Sequence, residues 1–327
     1  MKKIPLGSTE IMLSRMGLGT WAIGGGPAWN GDLDLQVCID TIVEAHRCGI
    51  NLIDTAPGYN FGNSEVIVGQ ALKKLPRKDI VVETKCGIVW ERTGSLFNKV
   101  GDRQLYKNLT PESIREEVDA SLQRLGIESI DIYMTHWQSV EPCFTPIAET
   151  VDTLNALKKE GKIQSIGAAN VDAGHIREYL KHGQLDIVQA KYSILDRALE
   201  AELLPLCQQH GIVVQVYSPL EQGLLTGTIA RDYVPGGARA NKVWFQRENM
   251  LRVIDMLEQW LPLCEKYRCT IPALALAWIL KQSDLITLLS GATAPEQVRE
   301  NVEALTIALT DGDSSLMRQM AEALDIK

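Results

Sequence analysis

The sequence contains no run of lysines or arginines, and its 33 basic residues are outnumbered by 41 acidic ones, for a formal charge of -8 and an isoelectric point near 5.3. That balance argues against a phosphate backbone or an acidic membrane surface as partner and favours a small metabolite. No C-x-x-C pair occurs among the seven cysteines, Cys38, Cys48, Cys86, Cys143, Cys207, Cys264 and Cys269. They read as reduced residues of a cytoplasmic protein rather than as a zinc or redox motif. H-E-x-x-H and EF-hand patterns are also missing, so no metal is expected. The stretch Met1-Lys2-Lys3-Ile4-Pro5-Leu6-Gly7 has the basic residues of a leader but not its apolar run of about 7–15 residues. No window approaches a membrane span. There is no proline-rich or low-complexity linker, and 45% hydrophobic content over 327 residues is ample for one large core, so residues 1–327 are read as one domain.

What is present is an alternation. After a short hairpin, Ile4-Pro5-Leu6 and Met12-Leu13 around a Gly7-Ser8 turn, short apolar runs alternate with longer amphipathic ones, the signature of βα units around a parallel sheet. Eight strand candidates follow: Met16–Trp21, Asn51–Ala56, Ile80–Gly87, Ile130–Trp137, Ile163–Asn170, Asp186–Ser193, Ile212–Pro219 and Leu285–Ala292. Runs such as Ile212-Val213-Val214-Gln215-Val216-Tyr217 suit strands covered on both faces. Thr110-Pro111-Glu112-Ser113 supplies a helix start, and Gly49, Gly126, Gly161, Gly183 and Gly211 are read as left-handed helix caps. Eight such units predict a TIM (β/α)8 barrel in preference to an open doubly wound sheet. Two segments exceed the alternation, Ile88–Leu109 after the third strand and Leu220–Asn249 after the seventh. Both follow strand C-termini, where a barrel builds its site, so they are expected to be long loops acting as lids.

Four proton-active groups stand at strand ends: Asp54 on the second, Tyr59 just past Pro57-Gly58, Lys85 on the third and His136 on the fourth. Singly each has a bland reading, as a cap, a loop tyrosine, a salt-bridge partner or a core histidine. Together they resist it, because burying lysine and aspartate costs several kcal/mol unless they pair. The set suits reduction of a carbonyl, in which charge developing on oxygen needs a proton donor and electrostatic support. Tyr59 is then the acid, Lys85 the ammonium that lowers its pKa, Asp54 the lysine's partner and His136 the group that orients or polarises the carbonyl.

These residues, with Gly17-Leu18-Gly19-Thr20-Trp21, Asp54-Thr55-Ala56-Pro57-Gly58-Tyr59 and the motifs of the later strands, resemble the aldo-keto reductases from Leu6-Gly7 to about Leu305. The likeness is strongest to the bacterial, NADH-using members that reduce methylglyoxal. It implies a nicotinamide cofactor held by Thr20, Trp21, Asp54, Ala169, Asn170, Gln189 and Tyr217, with Asn170 and Gln189 on the carboxamide and Tyr217 stacked on the ring. It also implies that Ser218, Pro219, Leu220, Gln222, Gly223, Leu224 and Gly227 wrap the pyrophosphate, and that Ser290, Gly291, Ala292, Gln297, Glu300 and Asn301 meet the adenosine end. Trp21, Tyr59, Trp90, His136 and Trp137 would line the pocket for a short aldehyde or dicarbonyl.

The pattern departs from the family in two places. Ala169 stands where many members have serine. Gly291 and Gln297 stand where many NADPH-using members carry the lysine and arginine that clamp a 2′-phosphate, which favours NADH, with NADPH the alternative if Arg299, Arg239 or Arg247 supplies the charge. The Rossmann-like Gly17-x-Gly19-x-x-Ala22, with Asp40 beyond it, fails because Gly24-Gly25-Gly26-Pro27 follows as a loop instead of a helix. Two rival functions remain at this point: a Schiff-base aldolase using Lys85, and a cofactor-holding regulatory or sensor subunit of the kind this family supplies to potassium channels. Oligomeric state is not readable.

Overall fold

The computed structural model describes residues 2–29 and 31–326; Met1, part of the stretch considered as a leader, lies outside them. The thirteen strands of the described residues are β1 Lys3–Pro5, β2 Met12–Ser14, β3 Met16–Gly19, β4 Leu52–Asp54, β5 Val81–Cys86, β6 Ile88–Val89, β7 Ser95–Val100, β8 Arg103–Lys107, β9 Ile130–Thr135, β10 Ile163–Ala169, β11 Ile187–Lys191, β12 Val213–Tyr217 and β13 Ile286–Gly291. Eight of them close a parallel barrel in chain order, β3-β4-β5-β9-β10-β11-β12-β13, with β13 pairing back onto β3. Each lies within one of the eight runs expected from sequence, and helices follow the strands as in a TIM barrel.

Two apolar clusters hold this frame. The larger lies between barrel and helices; the smaller fills the barrel itself. Inside, Leu52, Val81, Ile132, Ile187, Val213 and Leu289 meet Ile4, Leu6 and Leu13 from the β1-β2 hairpin, which plugs the end where the strands begin. Each such side chain contributes about 1.5–3 kcal/mol by leaving water. Because successive strand residues alternate faces, the same inward register continues from Leu52 to Asp54, from Val81 to Glu83 and Lys85, from Ile187 to Gln189, and from Val213 to Gln215 and Tyr217. The interior thus changes from apolar to polar within two residues.

Helix starts follow local chemistry. Thr110 accepts a bond from the Ser113 amide ahead of Pro111, and Asp172 and His175 form a reciprocal cap on the helix Ala173–His182. Gly49, Gly126, Gly161 and Gly211 take positive φ as expected, but Gly183 does not. Its backbone is extended, and the glycine is needed instead because a Cβ would lie 2.8 Å from Val151 on the neighbouring helix.

The segment 88–109 corrects the loop expectation, since β6, β8 and β7 form an antiparallel three-stranded sheet turning at Gly101. Between Leu96 and Asn98 the register shifts, and such a bulge erases the two-residue alternation by which a strand is read. The segment 220–249 is built of the short turns Glu221–Thr226, Gly237–Arg239 and Val243–Phe245 before the helix Arg247–Glu258 begins. Its Gly237–Arg239 turn packs against Pro27–Trp29, bridging the barrel mouth. The glycine stretch 24–26 is loop, as the rejection of a dinucleotide fingerprint requires. No helix among the described residues is long and apolar enough to cross a membrane.

Candidate active site

The carboxyl ends of the barrel strands bring Asp54, Tyr59, Lys85 and His136 together. Asp54 ends β4, Lys85 is the penultimate residue of β5, and His136 lies one residue beyond β9, where its amide still bonds the Cys86 carbonyl at 2.8 Å. Lys85 is fully buried. Its ammonium donates to Asp54, to the Thr55 carbonyl at 2.9 Å and to the Tyr59 hydroxyl at 3.1 Å, which uses all three of its protons. The His136 ring stands edge-on to Tyr59 with centroids 5.7 Å apart.

Burial and neighbouring charges shift three of these groups. Burial and then Asp54 push the Tyr59 phenol well above its usual pKa; Lys85 pulls it down without cancelling them. Lys85 lowers the phenol's pKa as expected, but desolvation of a phenolate at the barrel mouth outweighs one neighbouring cation, so the net direction is upward. Burial alone would lower the pKa of Lys85, but Asp54, Tyr59 and Glu83 reverse that, and the net direction is upward. His136 is held well below its ordinary value by burial and by Lys85, hence neutral, and its Nδ1 is buried without a partner among the described residues.

The residues expected to hold a cofactor surround this centre. Asn170 donates from Nδ2 to the His136 carbonyl at 2.9 Å and accepts from the Tyr217 hydroxyl at 2.8 Å, which links three strand ends. Gln189 turns its Nε2 inward, to Asp54 at 3.0 Å, Glu83 at 2.9 Å and Gln215 at 2.6 Å. Ala169 is fully buried in the barrel interior. Seven non-glycine residues among those described have positive φ, and six of them lie at this mouth: Asn60, Phe61, Asn170, Ser218, Glu221 and Gln222. Strain concentrated in this way is typical of a ligand site. The Ser290 hydroxyl and Gln222 Oε1 are also buried without partners among the described residues. These orphaned atoms, with Gly223 and Gly227 at positive φ beside them, fit a phosphate-bearing cofactor.

Some expected residues serve the fold instead. The Thr20 hydroxyl is engaged with the Asp54 carbonyl at 2.8 Å and Ser64 at 2.6 Å, while Leu224 and Ala292 are buried in the outer core, so at most their backbones face a ligand. Pro219 is buried, and Leu220 packs against that core. Gln297 accepts from the Thr293 amide at 2.7 Å, Asn301 lies under the Gly291 carbonyl at 3.5 Å, Glu300 is half-buried, and Gly291 opens onto empty space. Arg299 is paired with Glu44 at 2.8 Å and Glu296 at 2.5 Å, and Arg239 donates to the Gln222 carbonyl at 2.9 Å and packs over Tyr233 and Phe245. Trp21 leans on Trp29 and Tyr59, Trp90 on Phe61, and Trp137 on Phe97 with the Lys107 ammonium 4.9 Å from its ring centroid.

Sequence reasoning missed Glu83, Gln215, Phe61, Phe97 and Lys107. For Glu83 a signal existed: it stands two residues before Lys85 on the same strand, and so on the same inward face. No group of histidine, cysteine or carboxylate side chains among the described residues is arranged to hold a metal.

A model of the aldo/keto reductase family matches residues 15–322. The chain is 85% identical over 325 residues to the NADH-specific methylglyoxal reductase of Escherichia coli (strain K12), covering 99% of this chain and 100% of that one. It is 33% identical to the aldo-keto reductase YhdN of Bacillus subtilis (strain 168), over 98% of this chain and 94% of the relative. Among solved structures, a glycerol dehydrogenase from Gluconobacter oxydans superposes with a TM-score of 0.89 at 33% identity, covering 99% of this chain and 96% of that one.

Proposed function

The chain belongs to the aldo/keto reductase family, NAD(P)H-dependent oxidoreductases of carbonyl groups, and from that premise we propose that it reduces methylglyoxal and short aldehydes with NADH. The observation that carries the reading is the single ammonium of Lys85 shared between Asp54 and the Tyr59 hydroxyl, beside a neutral His136. When bound, the cofactor supplies the hydride.

The chain's own residues do the rest. Tyr59, a neutral phenol, donates its proton to the carbonyl oxygen, and the Lys85 ammonium 3.1 Å away stabilises the phenolate left behind. Asp54 keeps that ammonium in place and charged. His136, uncharged and with a free Nδ1, orients the carbonyl without competing as an acid. Gln189 has its amide nitrogen committed to the barrel interior, which leaves its carbonyl oxygen for the carboxamide, and Asn170 and Tyr217, at the ends of the two flanking strands, are braced against one another. Trp21, Trp90 and Trp137 give apolar walls suited to a small carbonyl.

For the adenosine end, Arg299 is neutralised by two carboxylates and Gln297 is occupied by Thr293, an arrangement that supports NADH over NADPH, because a 2′-phosphate would meet no uncommitted cation at those positions. The Schiff-base alternative requires a neutral amine, which the upward pKa of Lys85 opposes. Seven free cysteines support a reducing compartment, the cytoplasm. The test is the loss of NADH and, separately, NADPH absorbance with methylglyoxal and a panel of short aldehydes. Turnover favouring NADH is expected; cofactor binding without turnover would replace this reading with a sensor role.

A further inference from the structure

Directly beneath the Asp54, Tyr59, Lys85 and His136 group lies an acid that its mechanism does not use. Glu83 is fully buried on β5, and it is paired in register with Asp54 on β4, so the two carboxyl groups lie side by side inside the barrel. Gln189 Nε2 reaches Glu83 Oε1 at 2.9 Å, and Gln215 Nε2 reaches Oε2 at 3.0 Å. The same Gln189 nitrogen is 3.0 Å from Asp54 Oδ1. The layer around Glu83 balances its charge without it. Lys85 is the one cation, Asp54 matches it, Tyr59 and His136 are neutral, and the two glutamines carry no charge. Lys191, the next cation around the barrel, is committed to Asp196 at 3.0 Å and Glu221 at 3.1 Å.

A second carboxylate here would be an uncompensated buried charge costing several kcal/mol, next to a like charge. We propose that Glu83 is a positioning residue that stays protonated and shares its proton with Asp54, so that the Asp54 carboxylate is divided between a hydrogen bond from below and the Lys85 ammonium above. Burial, followed by Asp54, drives the Glu83 pKa far upward, while Lys85 and the bond donated by Gln215 pull the other way without overcoming them. The function follows from the division. With part of its charge satisfied from below, Asp54 holds Lys85 less completely, and more of the ammonium's field reaches the Tyr59 oxygen as that oxygen becomes a phenolate. Glu83 also fixes the Gln189 amide with its nitrogen inward.

The inference rests on the reductase reading, but its first test needs no turnover. The carboxylic-acid C=O stretch is recorded in the infrared for the wild type and for Glu83→Gln near neutral pH. A protonated-acid band present in the wild type and lost in Glu83→Gln is expected; no difference between the two would mean that Glu83 is ionised and would overturn the proposal. The second test is kinetic. Glu83→Gln, which keeps the shape and a donor toward Asp54 but replaces one of the two oxygens that accept from Gln189 and Gln215, is expected to lose less kcat than Glu83→Leu. Glu83→Leu should lower kcat about tenfold with KM for NADH held, the rate equivalent of one lost hydrogen bond to a charged group. Wild-type kcat in Glu83→Leu, or an equal loss in both variants, would refute the positioning role. If Glu83→Leu does not fold, the infrared result still decides it. An inactive wild type would instead remove the reductase reading and leave the infrared result standing.

Discussion

At the hairpin end of the barrel Leu52, Val81, Ile132, Ile187, Val213 and Leu289 close on Ile4, Leu6 and Leu13, and two to four residues further along four of these strands the inward positions hold Asp54, Glu83, Lys85, Gln189 and Gln215. The first layer is held by burial alone, which has no direction and tolerates repacking. The second must satisfy each polar group individually, because each unpartnered one costs about 1–3 kcal/mol. The same strands therefore carry stability at one end and chemistry at the other, and a substitution should reveal which end it is in by what it damages.

The largest expected effect is at the mouth. Tyr59→Phe removes the donated proton and the acceptor of one Lys85 proton, so it should lower kcat about 10²- to 10⁴-fold at a stability cost of about 1–3 kcal/mol; a variant retaining a tenth of the wild-type NADH oxidation rate would show that Tyr59 is not the acid. Lys85→Met should damage both properties, since it removes the cation that neutralises Asp54, with a stability loss of about 3–5 kcal/mol in denaturant titration and no measurable turnover. Leu13→Ala tests the opposite end. It should cost about 2–5 kcal/mol through the cavity it leaves, with kcat/KM unchanged in the folded protein. A matching fall in kcat/KM would mean that the two layers are not independent.

Smaller effects sharpen the contrast. Gly291→Lys combined with Gln297→Arg should raise the NADPH to NADH ratio of kcat/KM about tenfold or more, because each adds one charge-assisted contact of about 1.5–3 kcal/mol; an unchanged ratio would place the 2′-phosphate elsewhere. The last concerns Glu117, away from both layers, which accepts from the Gly87 amide at 2.9 and 3.1 Å just past the end of β5 and whose effect is read as a slope against pH. Burial pushes this acid up to about 8, against the Gly87 bond, Arg92 and Ser113. The folded state then holds a proton that the unfolded chain has released above its ordinary 4.5, so this group's contribution is full below 4.5 and falls as pH rises toward about 8, by at most about 1.4 kcal/mol per pH unit. Glu117→Gln should flatten that slope in stability measured against pH; an unaltered slope would show that Glu117 is ionised in the folded protein.

Legibility in the sequence followed the kind of interaction. The eight barrel strands were readable because their buried runs are nearly continuous, and Asp54, Lys85 and His136 because charged or titratable groups at the ends of such runs stand out. Glu83 was passed over because a strand read as one apolar run hides which face each residue takes. The β6-β8-β7 sheet was read as loop because its strands are short and its bulge breaks the alternation. Thr20, Leu224 and Ala292 were assigned to the cofactor through motif membership, whereas the structure commits the hydroxyl of the first and the side chains of the others to the fold.

By itself the sequence determined the barrel, its hairpin plug and the four groups at the strand ends, because periodicity and turn chemistry are local and repeat along the chain. Only the tertiary structure decided how burial and neighbours shift Tyr59, Lys85 and His136, the neutral acid proposed beneath them and the pairing of Arg299. Charge states depend on what distant strands place within a few ångströms and on how much water they exclude, and neither distance nor desolvation is written in the order of residues.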